Sequence, residues 1–266
     1  MSISSVFGLF SELGTELLIL SVSALAWAAF GRDHRTRFVP ERRDPPEAPV
    51  AIALMCVDGG SVSLRAIAAT VADLAERGAL RLAAEDRGGR TVWTFDVVPG
   101  ASFSPAEAVL VEALGHGSGS KGFRRQVAMD ASAEGWFRAD PMHVRGAYAV
   151  VALLVAVWLF FRAGDTALGL LSVLGTAFAV LLFGWAMPRR TSRGDDAAAQ
   201  AEGFRRMLRE GAGRLPPGVW PWAFAFGLEA EMRAAHGAPA WLRCEGVHEN
   251  TAVDGFVAAV GGVLGD

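Results

Sequence analysis

Thr166 to Met187 reads TALGLLSVLGTAFAVLLFGWAM, a run without one ionisable side chain that is closed by Pro188, Arg189 and Arg190. A helix crossing the hydrocarbon of a bilayer needs about 20 apolar residues, and this stretch supplies them. The alternative is a core helix of a soluble protein. Core helices seldom stay apolar on all sides for so long, so lipid is read as the solvent of this segment.

The composition of the 266-residue chain agrees: 52% of residues are hydrophobic, 20% are charged, and the mean hydropathy is +0.31. Charged content is below the ~25% of average soluble domains, which excludes disordered and collagen-like classes. A formal net charge of −3 gives no basic excess for binding nucleic acid by bulk electrostatics. Cys56 and Cys244, the only cysteines, are too few for a disulfide framework.

Upstream, Gly146 to Phe161 is a second apolar run, separated from the first by Arg162, Ala163, Gly164 and Asp165. It is short for a span, and a snorkelling Arg162 extends it. Two apolar helices joined by so short a polar turn form a transmembrane hairpin. Small residues at helical spacing give the pair a packing face: Ala152 and Ala156 on one helix, Ser172 with Thr176 and Gly175 with Ala179 on the other. Leu17 to Gly31 is a third charge-free run, preceded by Glu12 and Glu16. A cleaved signal peptide is the competing reading, but the arginines follow the apolar run instead of preceding it, so an uncleaved anchor is expected.

Orientation follows from the arginines. Arg32, Arg35, Arg37, Arg42 and Arg43, then Arg138 and Arg145, then Arg189, Arg190 and Arg193 are placed in the cytoplasm, and only Arg162 falls on the far side. Trp27, Tyr148 and Trp185 lie near the cytoplasmic ends as interfacial aromatics. The expected order is an N-terminal anchor over 1–31, a linker over 32–49, two cytoplasmic modules over 50–100 and 101–145, the hairpin over 146–187, and a cytoplasmic helical region over 188–266. The N-terminus is outside and the C-terminus inside.

In the loop, Arg37 to Pro49 is too rich in proline and charge to pack. Val50 to Cys56 reads as a helix. Ser63 caps a second, Leu64 to Arg77, that ends at Gly78. Ala79–Ala84 and Thr91–Val97 follow as strands around Arg87-Gly88-Gly89-Arg90. Helix, helix and hairpin is the layout of a winged-helix module. Its charges are balanced, with Arg65 and Arg77 against Asp73 and Glu76, whereas a phosphate-reading surface is basic. Ser104, Pro105 and Glu107 open another helix, and Phe123–Phe137 supplies one more.

Several apparent motifs fail. Gly115 to Gly122 lacks the Gly-Lys-Ser/Thr order of a phosphate loop and is not a nucleophile elbow. Cys244 and His248 could share a helix face, but no metal-ligand spacing supports a site there. Asp195 and Asp196 read as the start of a helix, and no charge within the hairpin marks an ion path. In the C-terminal region Ala197 to Glu210 is a helix that lies either on headgroups through Arg205, Arg206 and Arg209 or on its neighbour through Phe204, Met207 and Leu208. An aromatic helix from Pro221 through Ala235 follows.

Met187 to Gly194, Gly203-Phe204-Arg205-Arg206, Trp220-Pro221-Trp222-Ala223, Phe226-Gly227-Leu228 and Pro239-Ala240-Trp241 together resemble the cytoplasmic end of the YciQ-like family of uncharacterised bacterial predicted membrane proteins. Ala68–Leu80 and Glu134-Gly135-Trp136-Phe137 are similar too. The resemblance runs from about Val50 to Trp241. It implies architecture only: fuller members begin with a signal peptide and an extracytoplasmic β-rich domain, and many end in a glycine-rich tail. This sequence, opening near its first apolar run and ending in Gly255–Asp266, is expected to lack both, so no role of an outer domain is carried over. The family implies no catalytic residues.

The reading is therefore a mainly α membrane protein with three transmembrane helices, an anchor plus a hairpin, and cytoplasmic winged-helix-like α+β modules. A multi-pass place in the bacterial inner membrane is expected, with the bilayer and a protein partner or a second copy as partners. No enzyme activity, cofactor or metal is assigned. A scaffold or protein-interaction role leads, and a membrane-tethered DNA-binding regulator is the alternative.

Overall fold

The computed structural model describes residues 44–163, 167–185, 190–210 and 216–265, together with helical positions at Leu17, Ile19, Ser21, Val22, Ala24 and Leu25. The chain divides into two compact units, Met1–His34 with Phe137–Thr191, and Arg35–Trp136 with Ser192–Asp266. Ten helices and one three-stranded sheet are formed among the described residues.

The second unit is built around two apolar helices. α1 (Val50–Val57) buries every residue from Val50 to Cys56. α2 (Leu64–Glu76) starts where the Ser63 hydroxyl accepts the Ala66 N–H at 3.3 Å, and the chain turns away at Gly78 with φ +73°. The alanines among the buried residues of α2 let its neighbours approach on several sides. β1 (Leu80–Asp86) pairs antiparallel with β2 (Thr91–Val97), from Leu80 opposite Val97 to Asp86 opposite Thr91. The connecting turn is held by Asp86, whose carboxylate accepts the Gly89 N–H at 2.8 Å.

The order helix, helix, hairpin is thus present, but two features depart from a free-standing winged-helix module over 50–100. The helix that would read DNA, α2, is enclosed, with Ala66 to Ala72, Leu74 and Ala75 all buried. The sheet is completed from the other end of the chain: β3 (Leu242–Glu245) lies parallel to β1 from Leu82 opposite Leu242, giving the order β2-β1-β3. The sequence near residue 80 cannot announce a partner strand so far away.

α3 (Pro105–His116) opens with the capping box its sequence spells out, Ser104 and Glu107 exchanging hydrogen bonds, and closes at Gly117 with φ +61°. α4 (Lys121–Ala133) buries Phe123, Val127, Ala128 and Ala131.

Among its described residues the first unit contains a helical hairpin, α5 (Pro141–Ala163) and α6 (Ala167–Trp185), packed along their lengths. α5 begins before Gly146 because Asp140 caps it, its carboxylate accepting the Met142 N–H at 2.8 Å, with Pro141 in the first turn. Its 23 residues extend about 34 Å at 1.5 Å each, which removes the shortfall in length that the sequence presents. An antiparallel bridge between Phe137 and Arg190 ties together the chain entering α5 and the chain leaving α6.

The chain then returns to the second unit. α7 (Ser192–Arg209) turns Ala197, Ala201, Phe204, Met207 and Leu208 inward and packs on α1. Of its two readings, the packed one is what the structure contains, because its apolar side is already covered. The single aromatic helix expected from Pro221 through Ala235 is instead α8 (Val219–Phe226) and α9 (Glu229–His236), broken at Gly227 with φ +70°. α10 (Glu249–Leu264) closes the unit by inserting Ala252, Val253, Phe256, Val260 and Leu264. Phe256 stands 4.6 Å from Phe224, 5.6 Å from Trp93 and 6.0 Å from Trp241 (ring centroids), so the β-hairpin and the C-terminal helices share one core.

Candidate functional site

The helical hairpin has two kinds of surface. Ala152 and Leu159 on α5 and Val173, Thr176 and Val180 on α6 are buried in a seam at helical spacing. On the outside, Leu153, Leu154, Val157 and Phe160 of α5 and Leu174, Phe178 and Leu182 of α6 are exposed, and Phe161 is 82% exposed. A soluble monomer rarely shows contiguous apolar patches beyond a few hundred Å². Within α5, Pro141–Phe161 is long and apolar enough to cross a membrane, with mean hydropathy 2.1, while Val173–Leu182 forms a shorter apolar stretch of α6.

The small residues proposed as a packing face separate on inspection. Ala152 and Thr176 lie in the seam, and Ala156 and Ala179 are half-buried beside it. Gly175 is exposed, and a Cβ built on it would meet nothing within 4 Å, so it is off the seam. Of the interface anchors, Tyr148 and Arg190 are half-buried. Trp27, Arg32 and Arg189 lie outside the described residues, as do the side chains of Arg162, Ser172 and Trp185.

The second unit contains a cavity of about 230 Å³ between the starts of α1 and α3 and the bodies of α2 and α4. Val50, Ile52, Phe123 and Val127 give it apolar walls, and Asp73, Glu107, Asp130 and Glu134 supply four carboxyl groups. Arg77 reaches two of them, at 2.9 Å from Asp73 and 2.5 Å from Glu107. Asp130 accepts from the Gln126 amide at 2.8 Å, and Glu134 from the Trp136 indole at 2.9 Å. Burial holds the Asp73 carboxyl above its ordinary value; Arg77 pulls it back, and the neighbouring Glu107 pushes it further up.

Residues 39–235 match the model of the family described as Predicted membrane protein (DUF2207) C-terminal domain, which is most of the chain. The chain belongs to this family. No curated protein and no solved structure matches it. Membership of DUF2207 makes it a predicted membrane protein of unknown function, and among the described residues the exposed apolar flanks of α5 and α6 suit the description.

Other candidates suggested by spacing are dispersed by the fold. Cys244 sits in β3 and His248 is the residue preceding α10, so they share no helix face. Asp195 is buried in the first turn of α7. Arg65, which the sequence offers only as one charge of a balanced helix, has a structural role. It lies within the gap between α8 and α9, donating to the Phe224 carbonyl at 3.1 Å and pairing with Glu229 at 3.2 Å. A Cβ at Gly227 would stand 3.2 Å from its guanidinium carbon, so the glycine provides both the turn and the space. The cavity was equally hidden, because its carboxylates come from three helices and the residue that caps the last of them, spread between Asp73 and Glu134.

Proposed function

We propose that this DUF2207 protein is an inner-membrane anchor for its α+β unit, and that the unit acts by binding another protein or a second copy. The observation that supports the anchor most strongly is the ring of exposed leucine, valine and phenylalanine around α5 and α6. In lipid that surface needs no cover. With Leu17–Gly31 as a further span, the proposed topology has the N-terminus outside and both arginine-flanked stretches, 32–145 and 188–266, in the cytoplasm. This topology fits the resemblance to the YciQ-like members.

The binding role draws on the surface chemistry of the α+β unit. Its helix–helix–hairpin layout is winged-helix-like in order, yet its charged groups pair with one another: Arg65 with Glu229, Arg87 with Glu85, and Arg233 with Asp254. A balanced, self-paired surface suits a protein partner better than a phosphate backbone. The DNA-binding alternative needs α2 in a groove, and its packed flanks leave no observation in favour of that reading.

A reporter-fusion map tests the topology. Fusions after His34 and Gly194 should be active only as cytoplasmic reporters, and a fusion after Gly164 only as a periplasmic one. A periplasmic signal after Gly194 overturns the proposal. The binding role predicts that the full chain in detergent self-associates or retains a specific partner, and a lone monomer that retains none contradicts it.

A further inference from the structure

We propose that the cavity between α1, α2, α3 and α4 binds a small organic ammonium ion, its aliphatic stem on the apolar walls and its charge against Asp130 and Glu134. The walls formed by Val50, Ile52, Phe123 and Val127 are almost fully buried and offer a dry surface for methylene groups. No lysine, arginine or histidine is among the lining residues, whereas four carboxyl groups are. The chain itself shows how this rim receives a cation, since the Arg77 guanidinium is seated between Asp73 and Glu107. That half of the rim is served.

The other half is not. Asp130 and Glu134 are oriented by neutral donors, the Gln126 amide and the Trp136 indole, which position a carboxylate without cancelling its charge. Arg193 comes near but stacks on the Trp136 ring at 3.9 Å and donates to the Glu134 backbone carbonyl at 2.7 Å. Among the described residues neither carboxylate forms an ion pair. The start of α3 also faces the cavity, but Ser104 and Glu107 already take up its capping hydrogen bonds, so it offers little to an anion. At about 230 Å³ the space is below the ~300–1,000 Å³ of pockets for drug-sized ligands, which limits the guest to an ammonium group on a short stem. This site lies within the α+β unit and does not depend on the membrane topology.

Calorimetric titration of the full chain, purified in a non-ionic detergent, with cadaverine tests the proposal. Saturable one-site binding is expected, and n-pentanol, with the same stem and no ammonium, should give none. Asp130→Asn with Glu134→Gln should weaken cadaverine binding at least about tenfold while the melting transition persists. Ala133→Trp, which blocks the exposed edge of the cavity and keeps every charge, should abolish binding and covers the case in which the double variant does not fold. Absence of saturable heat, equal binding of pentanol, undiminished binding in the folded double variant, or binding of a lysine peptide where cadaverine fails would overturn it.

Discussion

Glu76, at the last residue of α2, accepts the backbone N–H of Gly218 at 2.8 Å across a sequence separation of 142 residues. The contact joins the loop-derived helices to the C-terminal ones at the point where α8 begins. Gly218 has φ +79°, and a Cβ there would meet only Pro45 at an ordinary 3.9 Å. Gly218→Ala should therefore cost about 1–2 kcal/mol through backbone strain alone. Glu76→Ala, which leaves the N–H without its acceptor, should cost about 1–3 kcal/mol, and Glu76→Gln, which keeps an acceptor oxygen, should cost less. Chemical denaturation of the three variants ranks them.

The carboxyls of Asp58, Asp73 and Glu76 are all held above their ordinary values, chiefly by burial. In the folded chain these groups keep their protons to higher pH than in the unfolded chain. Their contribution is therefore most favourable when protonated and is lost as pH rises through the folded values. In the window just above 3.8 for the aspartates and 4.5 for Glu76, the unfolding midpoint should fall with rising pH. Glu76→Gln should flatten that fall, and a thermal melt series at several pH values reads both slopes.

Phe256 is fully buried and touches the rings of Phe224, Trp93 and Trp241. Phe256→Ala should destabilise the α+β unit by about 3–5 kcal/mol. Because Trp93 belongs to the β-hairpin and Trp241 precedes β3, both ends should be lost together, as followed by tryptophan fluorescence. Gly261→Ala is milder in chemistry but tight in space: its Cβ would lie 3.0 Å from the Leu64 side chain, so a loss of about 1–3 kcal/mol is expected unless Leu64 turns aside.

In the helical hairpin, neighbouring positions should behave in opposite ways. Ala152 is 2% exposed and Leu153 is 63% exposed. Ala152→Leu should loosen the pair of helices, whereas Leu153→Ala should leave the melting temperature in detergent nearly unchanged. Equal effects would contradict the seam.

What the sequence made legible was local. The Ser104–Glu107 capping box, the Ser63 cap and the glycine at position 78 are each decided within one turn of chain, and the structure contains them. The apolar hairpin was legible because long stretches without charge have few other uses. β3 was not, since four residues, Leu242–Glu245, carry no periodic signal and take their identity from β1. α10 was obscured by Gly255, Gly261 and Gly262, which weaken helix propensity, although its apolar residues at 252, 253, 256, 260 and 264 keep helical spacing. Gly261 is there for Leu64, a reason that only the packed structure displays. The cavity carboxylates were hidden in the same way, since nothing in the spacing of Asp73, Glu107, Asp130 and Glu134 announces that they meet.

Whether lipid surrounds α5 and α6 is tested most directly by alkaline carbonate extraction of membranes from cells expressing the full chain. The protein should remain entirely in the membrane pellet and be released only by detergent. Recovery from the carbonate supernatant as a monodisperse, detergent-free species would contradict the account.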